Sequence, residues 1–166
     1  MESQHEIIAF VSALPGVVAE TAGEETGAPE AAWGDSFFFH DPDGDMPADR
    51  RMPFATIVTK DYDGFDTASD LNRPGVYRLN IALGRAAFEE LLGYPPAEYP
   101  SRSADVDHTA VDTLIPHPVY AAQSWVAILN PGERTTALAR SLLTDAHARA
   151  VRSHRRRTAR GTGAQR

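Results

Sequence analysis

Val76-Tyr77-Arg78-Leu79-Asn80-Ile81 alternates cleanly: Tyr77, Leu79 and Ile81 fall on one side of an extended chain, Arg78 and Asn80 on the other. One side of this strand is built to be covered by apolar groups. The other presents a cation and an amide, which places a polar surface on a sheet that needs only one buried face.

Working back toward the N-terminus, residues 54–60 are rich in β-branched side chains, and residues 33–40 carry the aromatic run Phe37-Phe38-Phe39. Between them lies Asp41-Pro42-Asp43-Gly44-Asp45, which reads as the tip of a long hairpin loop. Residues 17–22 give a further strand and 61–74 are irregular. Ser3 and Glu6 form a capping box for a first helix whose Ile7, Phe10, Val11 and Leu14 share a face, and Pro15-Gly16 stops it.

Toward the C-terminus, a short helix over residues 84–92 ends at Gly93, and Pro95-Pro96 prevents its continuation. Residues 97–124 show no clear period. Residues 125–129 read as the last strand, and Asn130-Pro131-Gly132-Glu133 as the start of a helix with Asn130 as N-cap, buried through Leu138, Leu142 and Ala146. That helix is expected to fray near Arg152. The sum is a two-layer α+β fold, an antiparallel sheet with helices on one face, in which one helix, three or four strands, a helix, one or two strands and a helix follow in order. Residues 1–152 are expected to form a single domain and residues 153–166 a flexible, arginine-rich tail.

A length of 166 residues with 42% hydrophobic and 23% charged residues suits one folded domain. There is no cysteine, which excludes disulfides, thiolate metal sites and cysteine nucleophiles. No apolar stretch approaches membrane-spanning length, so a cytoplasmic protein without membrane contact is expected. The net charge of −7 is unevenly shared: residues 149–166 hold seven Arg and no acid, leaving −14 on residues 1–148. Fifteen of the sixteen basic residues are Arg, a composition bias that carries no mechanistic meaning.

Leu14-Pro15-Gly16-Val17, Trp33-Gly34, Thr59-Lys60-Asp61, Leu79-Asn80-Ile81 and Gln123-Ser124-Trp125-Val126, in that order and spacing, resemble the MmcQ/YjbR-like proteins, and especially an uncharacterised actinobacterial branch carrying the Asp-Pro-Asp-Gly-Asp hairpin. The likeness spans residues 5–152. It implies the order α-β(3)-α-β(2)-α. Many of those proteins have Lys where this chain has Asn80, so the role of that lysine does not carry over. The label of DNA binding attached to such proteins rests on fold similarity, which does not establish function.

Three functional readings follow from the residues. In the first, Arg78, Asn80, His117, Tyr120, Trp125, Trp33 and His40 gather on the open sheet face as a non-enzymatic binding module for a small molecule or a partner protein. In the second, Arg152, Arg155, Arg156 and Arg157 bind nucleic acid, although no aromatics are interleaved and the acidic body repels the same polyanion. In the third, a cofactor-free enzyme of specialised metabolism uses His40 or His117 as general base. None of the G-x-S-x-G, H-E-x-x-H or G-x-x-x-x-G-K patterns occurs. The acids at 41, 43 and 45 resemble the opening of a calcium loop, but Met52 stands where its bidentate Glu belongs. No cofactor or metal is expected, and the chain is expected to be a monomer or homodimer.

Overall fold

In the computed structural model, which describes residues 2–163, six strands form one open antiparallel sheet in the order β1-β2-β3-β4-β6-β5. They are β1 (Val17–Thr21), β2 (Ser36–His40), β3 (Ala55–Val58), β4 (Arg78–Ala82), β5 (Leu114–Pro116) and β6 (Trp125–Leu129). The helices are α1 (Gln4–Ser12), α2 (Arg85–Leu92), the single turn α3 (Tyr99–Arg102) and α4 (Thr136–Gly163). The alternating stretch that opened the reading supplies β4, the strand between β3 and β6. Four strands precede α2, matching the larger count read from the residues and exceeding by one the order that the family resemblance implies.

Strand parity sorts the side chains as the alternation requires. Phe38, Ala55, Ile57, Leu79, Ile81, Val126 and Ile128 meet Ile7 and Val11 of α1, Phe88 of α2, and Ala139, Leu142, Leu143 and Ala146 of α4 in one buried core. A smaller cluster on the opposite face joins Val58, Ile115, Ala127 and Leu129 to Leu71, which comes from the irregular segment after β3. That segment thus covers part of the face the helices leave open, and it bounds the site described below.

Local signals act largely as their chemistry dictates. Ser3 Oγ accepts from the Glu6 amide at 3.2 Å, while the Glu6 carboxylate takes the Ser3 hydroxyl proton instead of the backbone amide expected of it. Gly93 closes α2 in the left-handed region, its amide donating to Glu89 O. At Gly16 the chain turns from α1 into β1 with φ +72, and an added Cβ would stand 2.8 Å from His40 Cε1. Gly16→Ala is therefore expected to cost at least about 1–2 kcal/mol, read from thermal unfolding. An unchanged melting temperature would mean the turn relaxes freely.

Two helix boundaries differ from the sequence reading. Asn130 is no N-cap: at φ +43 it accepts from the Tyr77 amide and donates to Gly75 O, joining the ends of β4 and β6. The donors before α4 go instead to Asp112, whose carboxylate accepts from the amides of Gly132, Arg134 and Thr135 and from the Thr135 hydroxyl. These bonds hold its carboxyl down at about 2. At the other end, α4 does not fray at Arg152 but continues through Arg155, Arg156, Arg157 and Arg160 to Gly163. Arg and Ala are strong helix formers, and the His154 ring packs edge-on to His40 at 5.2 Å, tying this extension to the sheet. Residues 164–166 lie outside the described residues. No helix among the described residues is long and apolar enough to cross a membrane.

Candidate functional site

β4 turns Arg78 and Asn80 away from the helices, and both are buried despite their polarity. Arg78 is fully enclosed. Its guanidinium forms a paired contact with Asp66, at 3.1 Å from Nη1 to Oδ1 and 2.6 Å from Nη2 to Oδ2. A second Nη1 proton goes to Ser69 Oγ at 3.0 Å, and Nε donates to Asn80 Oδ1 at 2.7 Å. Asn80 in turn donates to Thr56 Oγ1 at 3.0 Å, which links β4 to β3. Buried charge of this kind needs each proton of the fork matched, because the interior offers no water in exchange.

His117 completes the cluster. Pro116 ends β5 on the helix-facing parity and Pro118 fixes the chain beyond, so the imidazole returns over the open face with its Nε2 3.3 Å from Arg78 Nη2. Its Nδ1 accepts from the amides of Val119 at 3.0 Å and Tyr120 at 2.9 Å, closing the turn after the strand. Burial, with Arg78 adding to it, pushes the His117 pKa down to about 3, against a smaller opposing pull from Asp66. The ring is neutral at physiological pH.

Above this polar floor lies a cavity of about 470 Å³. Its walls are mostly apolar: Phe37, Met52, Pro53, Val58, Tyr62, Phe65, Tyr120 and Trp125. Several of these remain exposed at the rim, Met52 at 77%, Phe65 at 58% and Tyr120 at 41%. Phe65 and Tyr120 stand edge to face with centroids 6.1 Å apart. Tyr62 is pinned by donating its hydroxyl to the buried Asp35, whose other oxygen accepts from the amide and hydroxyl of Thr59. Burial first and that hydrogen bond second push the Tyr62 pKa up, which leaves it neutral.

The structure brings together five of the seven ligand-site residues named from the sequence: Arg78, Asn80, His117, Tyr120 and Trp125 all line this cavity. Trp33 and His40 do not join them. Trp33 precedes β2 by three residues, in a turn where its indole donates to Ala28 O. His40 shares parity with Phe38 and so faces the helices, edge-on to His147 at 5.6 Å. Tyr77 likewise belongs to the helix-side core. The sequence reading missed Asp66, Ser69, Phe65 and Tyr62, all in the irregular segment after β3, together with Met52 and Pro53 of the hairpin loop. The one available signal was that a strand arginine turned inward must find a carboxylate, and the chain has twenty-three acids to choose from.

Elsewhere, the hairpin tip is organised as a turn, with the Gly44 amide on Asp41 O and the Met46 amide on Asp41 Oδ2, while Asp43 and Asp45 are exposed. Among the described residues no group of three or more His, Asp or Glu side chains is placed to hold a metal ion. Arg152, Arg155, Arg156 and Arg157 are exposed along α4, and none of them lines the cavity.

Compared with known proteins, the chain matches the model of a family of unknown function, DUF6194, over residues 1–159. No curated protein and no solved structure matches the chain.

Proposed function

The chain belongs to that family, DUF6194, and from its own site we propose that it is a non-enzymatic binding protein for a small organic molecule held in the cavity over β4. One observation carries this reading: an apolar chamber large enough for a two-ring compound opens on the sheet face, floored by the doubly hydrogen-bonded Arg78–Asp66 pair. Exposed apolar side chains concentrated at its mouth support the same conclusion, since such patches mark places where something binds.

The chemistry of the floor supports binding over catalysis. A general base needs a free lone pair and a basicity near the working pH. His117 has neither, because its acceptor nitrogen is taken by two backbone amides and its pKa is depressed to about 3. His40, the other candidate base, lies on the opposite side of the sheet. Kinship of DUF6194 with the MmcQ/YjbR-like proteins belongs to the same proposal, supported by the succession of opening helix, antiparallel strands, short helix, two strands and closing helix.

N-phenyl-1-naphthylamine, an uncharged fluorescent probe, tests the reading. Saturable binding is expected in the wild type, weakened about tenfold by Trp125→Ala, which removes one aromatic wall of the cavity. Equal affinity in the two folded proteins would mean that the probe sits elsewhere and that the cavity is not the site.

A further inference from the structure

Resting on the binding reading above, we infer that the molecule held in this cavity presents an uncharged acceptor oxygen, a carbonyl, to His117 Nε2, the ring edge beside the enclosed Arg78. The inference comes from counting protons. A guanidinium has five N–H groups. Four have acceptors here: Asn80 Oδ1, both oxygens of Asp66, and Ser69 Oγ. The fifth, on Nη2, is directed at His117 Nε2, 3.3 Å away.

That nitrogen is not an acceptor. Because Nδ1 receives two amide protons, the lone pair of the neutral ring resides there and the ring proton sits on Nε2. Two donors therefore meet at the cavity floor, and neither satisfies the other. A buried donor left unmatched costs free energy that an incoming oxygen recovers. A carbonyl oxygen in the cavity accepts from His117 Nε2, while Arg78 stays enclosed among its own partners.

Charge selects against a carboxylate. Asp66 already matches Arg78 in a paired contact, and His117 is neutral, so the floor carries no net charge. An anion placed there would stand beside the Asp66 carboxylate with no free cation of its own. The flat rings of Trp125, Tyr120 and Phe37 around the chamber suit an aromatic or alicyclic body behind the carbonyl.

The test uses three matched probes, 2-acetylnaphthalene, 2-ethylnaphthalene and 2-naphthoate, titrated against Trp125 emission in a Trp33→Phe background. The ketone is expected to bind about tenfold to a hundredfold more tightly than the hydrocarbon, and more tightly than the carboxylate. In His117→Asn the amide oxygen still receives the Val119 and Tyr120 amides, but the ring donor is gone. The ketone's advantage should shrink there while the hydrocarbon's affinity stays constant. In the wild type the carbonyl stretch of the bound ketone should also fall below its frequency in hexane, a readout that needs no variant. If ketone and hydrocarbon bind equally, or if the carboxylate binds best, the acceptor inference is overturned and the binding site stands. If none of the three binds, both are overturned.

Discussion

Asp66→Ala is expected to destabilise the protein by about 3–5 kcal/mol, seen as a lowered urea midpoint with an unchanged slope. Arg78 is completely enclosed and Asp66 nearly so, with two hydrogen bonds joining them. Removing the carboxylate leaves a guanidinium in the interior whose charge is unmatched and which cannot deprotonate. The exposed pairs Arg102–Glu98 and Arg73–Asp70 provide the contrast, since breaking either should cost about 0–1 kcal/mol. Replacing both members, as in Asp66→Leu with Arg78→Met, should recover much of the loss, because desolvated charge is then absent instead of orphaned. A cost below about 1 kcal/mol for Asp66→Ala would show that water reaches the guanidinium through the cavity and that the pair is not buried in the energetic sense.

That partnership also marks where the sequence stops being readable. The period of two in residues 76–81 identifies Arg78 and Asn80 as a pair turned from the core, because the intervening Leu79 and Ile81 leave no other parity. Nothing comparable fixes Asp66, which lies in a segment without period and reaches Arg78 only once the chain has folded across β3 and β4. The error at His40 has a related cause. Three consecutive phenylalanines precede it, so β2 shows no polar alternation from which to choose its buried side. Pairing with β3 makes the choice, placing Phe38 opposite Ala55 and carrying His40 to the helices. Trp33 fails differently, since it lies outside the strand and no parity applies. The end of α4 beyond Arg152 was not legible because a polar tail carrying Gly161 and Gly163 reads in sequence as unanchored, whereas the His154 ring, within that stretch, packs against His40 of the sheet.

The two faces of the sheet treat their histidines alike, and this makes the protein sensitive to acid. On the cavity side His117 faces Arg78, Asp66, His108, Tyr120 and Trp125. On the helix side His40 faces His147, His154 and Asp41. Burial, as the first cause, pushes His40, His108 and His117 down from their ordinary value of 6.5, and for His117 the shift reaches about 3.

Stability is expected to fall as pH drops from about 6.5 toward 3. Between those values the unfolded chain binds a proton at His117 and the folded chain does not, so the free energy of unfolding rises with pH across the window. The contribution of His117 is fully present above 6.5 and fully lost near 3. Its size is on the order of a few kcal/mol, with a slope of about 1.4 kcal/mol per pH unit for each proton taken up. His40 and His108 act with the same sign. Asp112 belongs to a separate, lower window, because its depressed carboxyl loses its contribution only as pH falls from 3.8 through about 2. Urea midpoints taken at intervals from pH 7.5 to 4.5 separate the two, since the carboxylate is ionised throughout that range. His117→Asn keeps the turn closed without a titrating ring, so it should flatten the wild-type curve by nearly one proton's slope. A wild-type curve already flat between 6.5 and 4.5 would mean that His117 takes up its proton in the folded state, and that the donor edge at the cavity floor does not have the arrangement derived for it.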